Sequence, residues 1–444
     1  MPDGTIAKLP LLEGYESLVP DLVGAGIDWV DGLRREGLAR FGELGMPGPR
    51  VEAWKYTNLK WIERTEFASG VAVSQPELEA LPPGGLEIDA IRLVLVNGRL
   101  RPSCSDCDSL PAGVSVIALH NAVVDGLDGL ERRISEMACG HDMPMLALNA
   151  AYLQDGVVIE IADGVVVEKP IHLIFVSLAK DDPVAFHPRN LITLGAGSAA
   201  TIYESHVCVG GASYLSNGAA SIRLEEEAVL RHRKLQNESA KAYHVSAVAV
   251  TLGTRANYEN YTLHIGGRLA RNEIHATLEG RGANCSLYGA YVGQGQQHID
   301  TTTFVDHAVP ECTSREVYKG ALDHNARGVF QGKILVRKNA QKTDGHQLNK
   351  ALLLSEGAEI DAKPELEIYA DDVKCSHGAT AGELDEEQLF YLRSRGVPEA
   401  EARGLLVTAF LEESLEVIRE EDCRDTFREI ISNWLAERCE QREA

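Results

Sequence analysis

From about residue 157 onward, short apolar runs alternate with turns rich in Gly, Asn and Asp. Representative runs are VVIEI at 157–161, NYENYTLHI at 257–265 and GVFQGKILV at 328–336. Their lengths are typical of β-strands, and no helical periodicity interrupts them. The pattern therefore predicts a body over residues 156–382 that is built almost entirely from strands.

This strand-rich body also carries an internal repeat. Similar steps begin at Ala200, Ala228, Ala256 and Ala283, so their spacing is nearly constant, and each has a small residue at a bend. A near-constant period favours a solenoid, in which each coil contacts only its neighbours. We therefore predict a mainly β fold with a right-handed parallel β-helix core. A β-sandwich with strands of similar length is the competing fold.

Helical patterns flank the body on both sides. The first part of the chain combines helical periodicity with one clear strand, IRLVLV, which predicts an N-terminal mixed α/β domain over 1–155. Beyond the body, Asp385 is a typical helix-capping residue, and Gly396 ends the helix that it starts. A C-terminal helical domain is therefore predicted over 383–444.

Charge and composition exclude several classes of partner. The 444 residues include 43 Lys and Arg against 66 Asp and Glu, which gives a formal net charge of −23. Such a charge disfavours nucleic acids and anionic membrane surfaces. No run approaches the roughly 18 apolar residues of a membrane span, and the first residues lack the basic start of a secretory signal. We expect a cytoplasmic protein whose nine cysteines are reduced thiols.

The candidate chemistry lies in the segment from Lys374 to Thr380. Cys375 and His377 are two residues apart, so in a strand both share one face with Val373. A thiol and an imidazole on one face can ligate a transition metal. The same parity also allows burial, with Cys as a small hydrophobe and His hydrogen-bonded in a dry interior. From the residues alone, burial is the favoured interpretation.

No catalytic residues are predicted. Polysaccharide lyases and hydrolases often use β-helices, but they need clustered carboxylates or basic residues in a cleft, and no paired motif recurs on one face. The phosphate-binding pattern GxxxxGK[ST] is also missing from the sequence, so any ATPase must be another chain. A non-catalytic subunit is therefore the preferred class, with a lyase or hydrolase as the alternative.

Three segments carry a family resemblance. They are SREVYKGALDHNARGVFQGKILVRKNAQKTDGHQLNKALLLSEGAEI, DDVKCSHGATAG and DEEQLFYLRSRGV, and RVEAWKYT at 50–57 adds an N-terminal marker. Together they resemble the SufB/SufD family of iron-sulfur cluster assembly proteins, densely over about 311–411 and more thinly before. The resemblance implies a β-helix core that pairs with a SufB-like paralogue along its edge. It also implies that the C-terminal helices bind a SufC-like ATPase.

The resemblance changes the interpretation of the thiol and the imidazole. By position in the family motif, His377 is the candidate metal ligand, with Cys375 beside it, at a transient iron-sulfur cluster shared between two subunits. The residues leave open whether Cys375 is a ligand or is buried. They also leave open a homodimer against a heterodimer, and the binding of a reduced flavin by the complex.

Two departures place the chain on the SufD side of the family. Asn349 stands where SufB has a cysteine, and Gly378 stands where SufB has a glutamate. Both missing groups bind metals, so the resemblance implies a partner in a shared site rather than a scaffold that holds a cluster alone. A purely structural dimer that presents an ATPase is a further alternative.

Overall fold

The computed structural model describes residues 9–69, 82, 85–138 and 143–443. The helices are α1 (Tyr15–Leu18), α2 (Asp28–Leu44), α3 (Lys60–Arg64), α4 (Leu119–Val124), α5 (Leu130–Ala138), α6 (Pro144–Tyr152), α7 (Glu386–Ser394), α8 (Glu399–Leu415) and α9 (Glu421–Glu443). The strands that start before residue 200 are β1 (Ala68–Ser69), β2 (Ile91–Val96), β3 (Arg99–Leu100), β4 (Val114–Ala118), β5 (Val157–Ile161), β6 (Ile171–Leu178), β7 (Val184–Phe186), β8 (Arg189–Leu194) and β9 (Ala199–Val209). The later strands are β10 (Tyr214–Leu224), β11 (Val229–Gln236), β12 (Ala242–Leu252), β13 (Asn257–His264), β14 (Leu269–Leu278), β15 (Asn284–Gly293), β16 (His298–His307), β17 (Thr313–Leu322), β18 (Arg327–Val336), β19 (Asp344–Leu353), β20 (Glu359–Ile368) and β21 (Lys374–Gly382).

Two long sheets wind around a common core. Sheet A runs in the order β20-β18-β16-β14-β12-β10-β8-β5-β4, with β7 and β1 attached beside β10. Sheet B runs β21-β19-β17-β15-β13-β11-β9-β6-β2-β3. From β8 onward, successive strands therefore alternate between the sheets, and each pairs in parallel with the strand one coil away. This is the predicted parallel β-solenoid, with about eight turns in sheet A.

The coil length varies around the predicted period. In the sheet B ladder Val229 pairs with Asn257, whereas Thr313 pairs with Asp344, which is a longer step along the chain. Ala228, Ala256 and Ala283 precede strands of this sheet as fully buried corner residues, as the sequence predicts. The prediction for Ala200 is wrong, because Ala200 pairs with Leu230 inside the ladder instead of lying at the corner.

The interior is apolar over most of its length. Alternating residues of both sheets, from Val157 to Val336, form one buried cluster, with Val373 and Cys375 packed against its last coil. Burial of these apolar side chains stabilises the stack of coils, because an isolated coil would expose them to water.

The flanking segments cover the outer faces of the two sheets. The N-terminal residues, with Trp54 and Phe41, form a second core with sheet A residues such as Leu215 and Tyr243. Helices α8 and α9 form another core on sheet B, where the Tyr261 hydroxyl lies 2.8 Å from the Ser414 hydroxyl.

Asp385 caps α7 by accepting hydrogen bonds from two backbone N–H groups, as predicted. Strands β2, β3 and β4, which lie in the predicted N-terminal domain, extend both sheets.

Two local expectations fail. The sequence pattern of residues 131–155 predicts a single helix that leads into the strand body, but the structure has α5 and α6, and Met143, directly before α6, is not helical. The local sequence predicts a turn at both His307 and His324, but His307 is the buried last residue of β16, with its Nε2 2.8 Å from the Ser314 hydroxyl. His324 does lie in a turn, with a φ of 57°. Among the described helices, none combines the length and apolar character that crossing a bilayer requires.

Candidate metal-ligand site at the open end of the solenoid

The last coil leaves both sheets open at one end. Strand β20 ends sheet A and β21 ends sheet B, so each has a parallel neighbour on one side only among the described residues. No residue of either strand is fully buried. An edge of this kind presents backbone N–H and C=O groups that another chain can pair with.

His377 and Cys375 both lie on β21, and the structure separates their surroundings. In the ladder Cys375 lies beside Gly345, and His377 lies beside Gln347. Cys375 is half-buried and packs against the interior core, whereas the imidazole of His377 is exposed. His377 makes no hydrogen bond or ion pair with the part of the chain that the structure describes. Its ring is therefore available to a ligand from outside.

Burial also changes the chemistry of the thiol. Desolvation raises the pKa of Cys375, and the nearby Asp344 carboxylate raises it further, while a backbone hydrogen bond from Gly345 opposes the shift. The thiolate is the form that binds metals. In this chain alone Cys375 is therefore a weaker ligand than an exposed cysteine, until a bound cation stabilises its thiolate.

A row of polar residues leads from the interior to His377. Glu316, Gln347 and His377 occupy register-matched positions on β17, β19 and β21. Gln347 Nε2 donates to Glu316 Oε1 at 3.3 Å, and the Thr303 hydroxyl donates to the other carboxylate oxygen. Burial raises the pKa of Glu316 to about 7. The imidazole at the open end is thus the last member of a row that begins with a buried, titratable carboxyl group.

Sequence reasoning missed this row. Glu316 and Gln347 have the parity of the interior residues of their strands, so an alignment of the last three coils in the observed register would reveal them beside His377. The variable coil length hides that alignment in the bare sequence. Asn349, on the same strand as Gln347, is also fully buried, and its Oδ1 accepts a hydrogen bond from the Tyr291 hydroxyl at 3.1 Å.

The described end offers few ligands to a cluster. One exposed imidazole and one half-buried thiol are present on β21. Asn349 provides an amide in place of a thiol, and Gly378 has no side chain. Iron-sulfur clusters are held mainly by cysteine thiolates, with four protein ligands for the common types. A cluster at this end therefore needs ligands from a second chain or from small molecules.

Comparison with known proteins gives the class of protein. The family model for the SUF system FeS cluster assembly SufBD core domain matches residues 175–410, and that for the SufBD protein N-terminal region matches residues 15–173. The chain belongs to the SufBD family of iron-sulfur cluster assembly proteins.

Within that family the chain is SufD-like. It is 32% identical to the iron-sulfur cluster assembly protein SufD of Escherichia coli, over 85% of this chain and 86% of that protein. It is 30% identical to an iron-sulfur cluster assembly SufBD family protein of Synechocystis, over 90% of each chain. The chloroplastic protein ABCI7 of Arabidopsis thaliana is 29% identical, over 88% of this chain and 82% of that protein.

Proposed function

We propose that this chain is a non-catalytic, SufD-like subunit of an iron-sulfur cluster assembly scaffold in the cytoplasm. It pairs with a SufB-like paralogue through β20 and β21, binds a SufC-like ATPase through its C-terminal helices, and contributes His377 to a transient cluster shared by the two scaffold chains. The observation that carries the proposal is the exposed imidazole on β21, which has a strand neighbour on one side only among the described residues, in a member of this family.

The open edge supports pairing with another solenoid. Ile368 and Tyr369, at the end of β20, are 40% and 64% exposed, which is unusual for large apolar side chains beside a core. A partner strand placed against β20 or β21 would cover these side chains and satisfy the outward backbone groups. A SufB-like chain is preferred over a second copy of this chain, because a second copy would bring the same Asn349 and Gly378 and no further thiol at those positions.

A shared site suits a cluster that must be released. His377 and Cys375 supply two ligand groups of unequal strength, and the partner supplies the others. Histidine ligation changes the potential of a cluster relative to thiolates alone. Since the ligands belong to two chains, a relative movement of the chains would remove part of the ligand set at once.

The C-terminal helices offer a surface for the ATPase. Phe390 and Tyr391 on α7 and Leu405 on α8 are 73%, 57% and 49% exposed, respectively. The same helical domain is fixed to sheet B, because the Lys319 ammonium contacts the Glu413 carboxylate and donates to the Phe410 carbonyl at 3.0 Å. A force applied to these helices by nucleotide hydrolysis would therefore reach the sheet that ends in β21.

The proposal is tested on the complex reconstituted with a SufB-like paralogue and a SufC-like ATPase. We expect His377→Ala to lower the iron and sulfide bound per complex strongly, and Cys375→Ser to lower it less. The matched control is His346→Ala, on the neighbouring strand β19, where the ring contacts Ser376 and Asp344. An unchanged cluster yield in His377→Ala would defeat the ligand role.

The same reconstitution separates the alternatives. Co-purification with an ATPase supports either scaffold interpretation and contradicts a polysaccharide lyase or hydrolase. A complex that assembles normally and forms no cluster in the wild-type protein would favour the purely structural dimer. Flavin bound to the complex remains a prediction, and absorbance of the purified complex under reducing conditions checks it.

A further inference from the structure

A second polar cluster lies inside the early coils of the solenoid, far from the open end. Its members share interior positions on four neighbouring strands or on the loop after β11, and all are buried except Glu204, whose side chain is 13% exposed: Glu204 and His206 on β9, His232 and Lys234 on β11, Glu238 on the loop, His244 on β12 and His264 on β13. In sheet B six strand spacings separate β9 from β21, which corresponds to about 29 Å. The cluster is therefore independent of His377.

Three of these residues have the geometry of a metal-binding group. One potential ligand atom of His206, one of Glu238 and one of His244 all lie within 4.8 Å of one another. The His244 Nδ1 atom is 2.8 Å from Glu238 Oε2, and the rings of His206 and His244 are 4.6 Å apart in an edge-to-face arrangement. Two imidazoles and one carboxylate form a donor set typical of zinc and of non-haem iron(II).

Further groups surround this triad in the way that metal sites require. Glu204 Oε1 lies 2.5 Å from His206 Nε2 and so fixes the orientation of the ring. Carboxylates hydrogen-bonded to ligand histidines commonly have this role. Glu238 is held in turn by the Tyr214 hydroxyl at 3.0 Å and by Gln236 Nε2 at 3.2 Å.

Two buried rings leave nitrogen atoms without hydrogen-bond partners. Neither ring nitrogen of His264 makes a hydrogen bond within the described chain, nor does Nε2 of His244, although both side chains are almost completely buried. His264 interacts electrostatically with His206, His244 and Glu238, so it borders the triad. Buried polar atoms without partners are costly, and a cation that accepts their lone pairs removes that cost.

Charge balance favours a cation as well. Two carboxylates belong to the cluster: Glu238 is buried, and the side chain of Glu204 is only 13% exposed. Lys234 supplies one ammonium group, 3.3 Å from Glu204. The contacts of Glu238 are neutral donors apart from the His244 ring. Apart from the imidazole rings, two carboxylates and one ammonium group leave a formal charge of −1 in the cluster, which an added cation would offset.

We propose that His206, Glu238 and His244 bind a divalent first-row transition-metal ion, of the zinc or iron(II) type, inside the solenoid. His264 is the adjacent nitrogen donor, and Glu204 positions the His206 ring. Two imidazoles disfavour Mg²⁺ and Ca²⁺, which prefer oxygen ligands. The site is a property of this chain alone and does not depend on the proposed function at the open end.

The test uses the purified full chain after chelation, with Co²⁺ as the probe under anaerobic conditions. We expect one Co²⁺ per chain with visible d–d absorption, both in the wild type and in His377→Ala. X-ray absorption of the zinc-loaded protein should show nitrogen and oxygen ligands without sulfur. Loss of binding in His377→Ala would assign the ion to the open end. Thiolate ligation, or no stoichiometric binding, would overturn the proposal.

Variants then locate the ion. His244→Asn and Glu238→Gln should abolish stoichiometric binding, and Glu204→Gln should weaken it by about 10–100-fold. The matched control is His275→Asn, because His275 contacts Glu273, two residues earlier on β14, at 2.8 Å, as His206 contacts Glu204. Tight binding retained in both Glu238→Gln and His244→Asn would overturn the proposal. If these variants do not fold, the ligand set observed in the wild type decides.

Discussion

The two ends of the solenoid are built from the same coil and differ in what covers them. At the first end, β2–β3 and β4–β5 are antiparallel pairs, and every residue of β6 is buried. At the last end, β20 and β21 contain no fully buried residue. A solenoid needs caps to remain soluble and monomeric. This chain covers its first end with its own residues, whereas the last end is open among the described residues and is where we propose that a partner binds.

The difference also appears in how charges are used. In the covered part, Arg271 on β14 is fully buried between Asp300, Glu273 and the ring of Trp54, 4.0 Å away. Near the last end, Lys333 on β18 forms an ion pair with Glu367 on β20, and both side chains are more than one third exposed. A buried ion pair is tolerated only when both partners are present, because a single buried charge is strongly destabilising. An exposed ion pair contributes little to stability.

The largest expected effect follows from breaking the buried pair. Arg271→Met leaves the Asp300 carboxylate buried without a cation, so we expect a loss of about 3–5 kcal/mol in the free energy of unfolding. Lys333→Met, the matched change near the open end, should cost at most about 1 kcal/mol. Denaturant unfolding of both variants measures the difference. Equal losses would contradict the contrast between the two parts of the solenoid.

The next effect concerns the row that joins the covered interior to the open end. The pKa of Glu316 is about 7 in the folded chain, above its ordinary value of 4.5, so the folded protein retains a proton that the unfolded chain has lost. Stability therefore falls as the pH rises from about 4.5 to 7, and this contribution is constant above that range. Glu316→Gln removes this pH-dependent contribution to the free energy of unfolding.

Measured against the wild type, Glu316→Gln should have similar stability at pH 5 and be more stable by about 3 kcal/mol at pH 8. Carboxylates common to both proteins cancel in this difference. Urea unfolding at a series of pH values gives the result. A difference that does not change with pH would show that Glu316 titrates normally in the folded state.

A smaller effect tests the open edge directly. The Lys374 N–H donates to the Thr343 carbonyl on the β19 side, so the N–H of Ala379, of opposite parity, faces the open side. Ala379→Pro removes this outward donor and keeps the ladder to β19. We expect affinity for a SufB-like chain to fall by about tenfold or more, since one backbone hydrogen bond contributes about 1 kcal/mol and the ring obstructs pairing.

The control for the edge is Ala379→Val, which retains the N–H and favours strand structure. Calorimetric titration of each variant with the SufB-like chain compares the affinities. If Ala379→Pro binds as tightly as Ala379→Val, the partner does not add a strand to β21, and the pairing surface lies elsewhere.

These two regions also differ in how far the sequence predicts them. The strand body and the coil were predictable because each corner needs a small buried residue, and Ala228, Ala256 and Ala283 provide it. The first corner was misplaced because its small residue is Ser198, which is fully buried in the same position relative to its strand. Periodicity finds the coil, while the exact register depends on turn lengths that vary.

The site was only partly predictable for a related reason. Parity along one strand brings Cys375 and His377 together, and that requires no knowledge of neighbouring coils. Which of the two is exposed depends on where the solenoid ends, and the row from Glu316 through Gln347 depends on coils of unequal length. Contacts between coils are long-range, and a local pattern does not specify them.

The smallest expected effect concerns the corners, where the last coil again differs. Six positions, each two residues before a sheet B strand, have left-handed backbone conformations: Gly197, Glu227, Arg255, Gly282, Glu311 and Lys342. The corresponding Asp372, before β21, does not. A non-glycine residue in this conformation is strained by roughly 1–2 kcal/mol, and glycine relieves the strain at some cost in entropy.

Glu227→Gly should therefore stabilise the chain by about 0.5–1 kcal/mol, because its ion pair with Arg255 is more than half exposed and contributes little. Glu225→Gly, at a neighbouring position without a positive φ, should destabilise by a similar amount. Thermal unfolding of the two variants gives shifts of opposite sign. Shifts of the same sign would mean that strain at these corners does not limit the stability of the covered coils.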